Sequence, residues 1–199
     1  MTKGKWLGWH FLPEDGRLRW GTREVVVAGK TCAATGPLKM CENGMHASRR
    51  LIDALDYAPG PIVCRVNLLG ERLDQDDKSV ARSRRVLWML DATNLLHEFA
   101  CQCAEDSLAL VENPDPRSVK AIAVKRAWLR GEATDEDLAA ARAAAWAAAG
   151  DGAAAWVWAG DAAGAAAWAW AWDAAGAAAG EKQNRLLVSM VMAAHRKEE

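Results

Sequence analysis

The chain lacks a dominant charge. Its 25 Lys and Arg nearly cancel 26 Asp and Glu, leaving a formal net charge of −1 and a pI near 6.4. A global electrostatic pull toward nucleic acid is therefore absent. The cysteine spacing of a small secreted scaffold is also missing. The five thiols (Cys32, Cys41, Cys64, Cys101, Cys103) are an odd set, and no signal peptide is legible, so the expectation is free thiols in a reducing cytoplasm. No C-x2-C knuckle supports a zinc set from Cys32, Cys41, His46 and Cys64, or a second one from His97, Cys101 and Cys103, and no metal is expected. Finally, no uncharged run reaches the roughly 20 residues that a bilayer needs. Arg142, Asp151, Asp161 and Asp173 interrupt the most Ala-rich stretch, so no membrane span is expected there.

What is present in excess is alanine and tryptophan. Between Ala139 and Gly180 the chain is written almost wholly in Ala, Gly and Trp, and six of its eleven tryptophans fall there: Trp146, Trp156, Trp158, Trp168, Trp170 and Trp172. Ala is the best helix former, and Trp offers a large surface to bury. The segment reads as a packing or docking device, and these six indoles are its expected binding residues. The run from Asp161 to Trp168 recurs, with its last residue changed, from Asp173 to Gly180, twelve residues on. At 100° per residue the copies lie 120° apart on a helix, so one continuous helix would point its tryptophans nearly all round. Either such a helix is enclosed on most sides, or glycines at Gly150-Asp-Gly152 and Gly160-Asp161 break it, and the break at Gly150-Asp-Gly152 is the favoured expectation.

A chain of 199 residues can bury a core as one domain or a small pair. The expected class is α+β. A mixed module over 1–75 precedes a helical segment over 76–131 and an Ala/Trp-rich helical tail over 132–199. Trp6 to Leu12 reads as a strand closed by the turn at Pro13-Glu-Asp-Gly16, and Val25 to Val27 as the buried strand of a following hairpin. Ser48 is placed as the cap of a helix over 49–58, stopped by Pro59-Gly-Pro61. Ile62 to Leu69 alternates, with Cys64, Val66 and Leu68 on one face, and Gly70 ends it. Ser79 to Leu90 reads as a helix with an Arg82/Arg84/Arg85 face, followed by helices from about Asp91 to Val111 and from Arg117 to Arg130. In the latter, Val119, Ile122, Ala123 and Leu129 are expected inward and Gly131 at C′. Thr134-Asp-Glu-Asp137 is the clearest helix start, and Glu181 to His195 forms a last amphipathic helix. The arginines at 82, 84 and 85, with Lys120, Lys125, Arg126 and Arg130, read as solvated helix faces, and nucleic acid is not an expected partner.

The order Gly29-Lys-Thr31, then Cys41-Glu-Asn-Gly-Met-His46, then a helix ending Tyr57-Ala58 resembles an uncharacterised domain family common in bacteriophage and prophage genomes. Some of its members look to carry Ala/Trp-rich tails. The resemblance implies a genomic setting and no activity. A fainter resemblance is to ADP-ribosyltransferases, which would place His10 on the first strand, His46-Ala-Ser48 centrally and Glu71 as the late acid around NAD. The Arg/His-Gly dipeptide of that first strand is missing here. The residues and the resemblance together lead to the expectation of a cytoplasmic phage-type accessory protein. It would bind a host protein or itself without catalysis or cofactor, for instance to inhibit a defence complex. The alternative is an NAD-using enzyme working through His10, His46 and Glu71.

Overall fold

A computed structural model describes residues 5–19, 21–150 and 176–198. The chain is α+β and folds as two compact units, 1–93 with 187–199 and 94–186.

The first unit is built on one antiparallel sheet. Strand β1 is Trp6–Leu12, as its alternation predicts, and it pairs with the long strand β4, Ile62–Asp74. Strand β4 pairs in turn with β5, Ser79–Asp91, through a turn in which Gln75 N–H donates to the Lys78 carbonyl at 2.8 Å. Two short strands, β2 (Thr31–Ala33) and β3 (Met45–Ala47), pair with β5 at different levels. Ser48, directly after β3, exchanges both backbone hydrogen bonds with Trp9 of β1, at 2.8 and 3.0 Å. The sheet thus closes from β5 through β3 to β1, and few strand edges are left to satisfy.

Strand β5 corrects the helix expected over 79–90. Val80, Val86 and Leu90 are spaced ambiguously between the two periods, and all three are buried. The edge of β4 decides between them, since a helix here would leave its N–H and C=O groups without partners. Register shifts between Arg65/Val66 and between Leu69/Arg72 accommodate the irregular spacing. Gly70, at φ 82°, sits within the second shift rather than ending β4. The three arginines consequently do not share a face: Arg84 is buried, Arg82 half-buried and Arg85 exposed.

Other local expectations change for similar reasons. Val25 to Val27 forms no strand; Val26 is buried in the core, while Val25 and Val27 are exposed. Helix α1 is only Leu51–Leu55, with Arg50 at its N-cap and no side-chain cap, because Ser48 is taken up in pairing with Trp9. The inner face of the sheet gathers Trp6, Leu12, Leu18, Val26, Cys32, Ala47, Cys64, Val66, Leu68, Ala81 and Val86 into one core, matching the alternation expected for Cys64, Val66 and Leu68. On the opposite face Trp9, Arg65 and Trp88 lie in register across three strands. The Arg65 guanidinium sits 4.4 Å from the Trp9 ring, and Trp88 meets Trp9 edge-on. His195, on the last helix, stacks on Trp88 at 4.0 Å.

Asp91 accepts from Thr93 N–H and opens α2, Thr93–Leu108, which from Asn94 onward belongs to the second unit. Asp115 caps α3, Pro116–Leu129, which ends with Gly131 at φ 73° and Glu132 N–H donating to the Ala127 carbonyl. Thr134 and Asp137 form a reciprocal cap, with bonds of 3.0 and 3.1 Å, at the start of α4, Asp135–Gly150. Ala121, Ala141 and Ala145 form the contact between α3 and α4. Alanines allow close approach but bury little surface, at about 0.8 kcal/mol per methylene equivalent, so caps carry weight here. The inward face of α3 is Ser118, Ala121, Ile122 and Lys125, whereas Val119 and Ala123 face water. Placing Lys125 outside had turned that face the wrong way. Helix α5, Gly176–Glu198, is longer than Glu181 to His195, and Leu187 and Val191 of its expected stripe are fully buried.

Candidate functional site

The inner face of the sheet, lined largely by apolar side chains, also carries an arginine and a histidine. Arg84 pairs in register with Leu68 of β4 and Cys32 of β2, so its long side chain starts in the core. It is 3% exposed. Its Nη1 donates to the His46 carbonyl at 2.6 Å, and its Nε meets no acceptor among the described residues. Burial lowers its pKa to about 10, opposed by smaller effects of the Cys64 and Cys32 thiols. No carboxylate among the described residues pairs with it. Burial in turn pushes the Cys64 thiol up to about 12, which keeps it neutral.

His10 of β1 lies in register with Cys64, and part of its surface remains open. Burial first, then the charges of Arg84 and His46, hold its pKa well below the usual value. His46 fixes a turn: its Nε2 accepts from Cys41 N–H at 3.1 Å, and Cys41 takes a positive φ of 64°. Its pKa is lowered by burial, opposed by a hydrogen bond with the Gly44 backbone, with smaller effects from Arg84 and Lys78. Two of the three residues expected around NAD therefore lie close to one another. Glu71 is elsewhere, on the exposed part of β4, paired with Arg82 at 3.3 Å. Arg84 is the residue that sequence reasoning missed. Val80 and Val86 share its parity, but Arg82 between them interrupts the alternation that would have marked a strand.

Tyr57 closes this end of the unit. Its hydroxyl donates to Asp77 and accepts from Lys78 Nζ at 2.9 Å, tying α1 to the β4–β5 turn. Nearby Asp56 is raised to about 6 by burial and by the charges of Asp53 and Asp77.

A second polar group lies among α2, α3 and α4. Lys125 is 1% exposed, with its Nζ 3.9 Å from the centre of the Trp128 ring, and His97 meets the same ring edge-on. Trp128 donates its indole N–H to Asp135 at 2.7 Å. His97 Nδ1 and Arg142 Nε have no acceptor among the described residues. Burial, then Lys125 and Arg142, lower the His97 pKa to about 4. With Arg84 and Lys125 buried, neither contributes to a solvated basic face. The five cysteines are free, and among the described residues no group of three or more His, Cys, Asp or Glu could hold a metal ion. No helix among them is long and apolar enough to cross a membrane.

Of the six tract tryptophans, Trp146 on α4 is described and 52% exposed. Trp156, Trp158, Trp168, Trp170 and Trp172 lie outside the described residues, as does the break expected at Gly150-Asp-Gly152 beyond the end of α4. Fold and site together define an α+β chain whose antiparallel sheet encloses an arginine and a histidine. Residues 22–98, from before β2 into α2, match the model of a domain of unknown function (DUF7666). No curated protein and no solved structure matches the chain.

Proposed function

We propose that the chain is a phage-type accessory protein that binds another protein in the cytoplasm, without catalysis of its own. The partner is a host protein or a second copy of the chain, and inhibition of a defence complex is the most specific form of this reading. The observation that carries it is Trp146. Helix α4 turns its alanines to α3 and leaves half of this indole's surface in water, at the entrance to a stretch bearing five more tryptophans. Trp is enriched among residues that dominate binding energy at interfaces. The phage setting rests on the Cys41-to-His46 resemblance alone. Substitution tests this better than truncation, because Leu187 and Val191 of α5 belong to the sheet unit. Trp146→Ala, alone and with the five tract tryptophans replaced, is expected to weaken partner capture or self-association about tenfold or more with an unchanged thermal melt. Equal association by the six-fold variant would remove the reading.

A second reading, an NAD-using enzyme, is favoured by the closeness of His10, His46 and Arg84. It requires that the chain bind NAD and that His46→Ala abolish NAD turnover while the melt is retained. An intact chain that leaves NAD unbound and unconsumed would end it.

A further inference from the structure

Inside the closed sheet, a guanidinium is buried without a counter-charge among the described residues. Arg84 pairs in register with Leu68, its charge and the Cys64 and Cys32 thiols bear on one another, and His10 is the register partner of Cys64. One of its nitrogens is engaged by the His46 carbonyl, while Nε points to no acceptor. The same face carries a second buried donor with no acceptor among the described residues, the indole N–H of Trp6. A buried charge is normally paired, because a lone one is costly to desolvate. The thiols beside it are held neutral and cannot serve as that pair. The Arg84 charge bears on His10, which is part-exposed and can donate or accept a proton.

We propose that Arg84 and His10 form a binding site for a phosphate oxyanion, with the His46 carbonyl positioning the guanidinium. A tetrahedral oxyanion suits a fork of guanidinium donors and an imidazole meeting from different directions better than a single point charge would. This site rests on the sheet unit's own residues and is independent of the docking reading. Bound phosphate would favour the protonated form of His10.

The chain carries four histidines, which gives the test its own controls. Inorganic phosphate is titrated into labelled full-length protein at constant ionic strength, with ring resonances of His10, His46, His97 and His195 followed by NMR. The expected result is a saturable shift at His10 with half-saturation on the order of 1 mM, His97 and His195 staying in place. Arg84→Met keeps the volume and removes the charge, and it is expected to fold and lose the shift. Should it not fold, Arg84→Lys keeps the charge without the fork and is expected to weaken binding roughly tenfold. No saturable shift, the same shift with chloride, or full binding by a folded Arg84 variant would overturn the site. A parallel titration with NAD separates the two ideas. Phosphate binding without NAD binding keeps the site and removes the enzyme reading, whereas competition between the two ligands supports both.

Discussion

Replacing Gly44 with alanine is expected to destabilise the sheet unit by about 3 kcal/mol or more. Gly44 sits at φ 138°, where L side chains are strained, and a Cβ there would lie 2.2 Å from Val80 Cγ2 and 3.0 Å from Leu38 Cδ2. Val80 is fully buried between β3 and β4 and has no room to retreat. The strain falls on the turn that His46 fixes by accepting from Cys41 N–H, so the Arg84 anchor at the His46 carbonyl is disturbed as well. Urea denaturation followed by far-UV circular dichroism measures the loss. Gly16→Ala is the control, since Gly16 has φ 64° but nothing within 4 Å of an added Cβ; it is expected to cost about 1 kcal/mol. A Gly44 variant as stable as the Gly16 variant would show that the core yields where the structure holds it rigid.

The second large effect is on pH dependence. His97 is buried beside two cationic side chains, Lys125 from α3 and Arg142 from α4, and titrates at about 4. On its own helix, Cys101 is fully buried, and the charges of Glu98 and Glu105 bear on it. In the unfolded chain His97 titrates near 6.5. The unfolded form therefore takes up a proton first, and the stabilising contribution is complete above about pH 6.5. It is lost as the pH falls from there to about 4. After discounting for the part of the ring that still meets solvent, the loss is about 1–2 kcal/mol. His97→Leu should remove that share of the acid sensitivity. Comparing urea midpoints at pH 7 and pH 4.5 for both proteins measures it, and parallel declines would exclude His97 as the source.

Both effects arise at positions whose meaning depends on neighbours distant in sequence. Some elements were nonetheless legible locally. The alternation of Trp6 to Leu12 and of Ile62 to Leu69 reports two strands, and the reciprocal Thr134 and Asp137 bonds follow from residue types three apart. Gly131 ends α3 as a left-handed glycine should. Two of the departures share a contributing cause, in that a charged residue within a pattern reads as a solvent marker. Arg84 marked a helical polar face and turned out to sit in the core of a strand. Lys125 marked an outer face and lies against Trp128 inside the unit. Long cationic side chains carry apolar stems, so their position in a pattern does not settle burial.

The candidate site shows the same division. His10 and His46 were recognisable as chemistry-bearing residues beside strand and turn signals, and the structure brings them near each other. Their common neighbour, Arg84, arrives from a strand whose identity depends on pairing with β4, and Glu71 leaves the group because it sits on the exposed part of that hairpin. The sequence by itself determined the mixed α+β class, the helix start at Thr134, and the alternating core of β4. Spacing and capping act within a few residues, which is why these survive without tertiary information. Only the tertiary structure decided that 79–91 is a strand, that the sheet closes through Ser48 onto Trp9, and that a guanidinium lies inside it. Those outcomes come from backbone groups seeking partners far along the chain, and no local pattern encodes which partner is free.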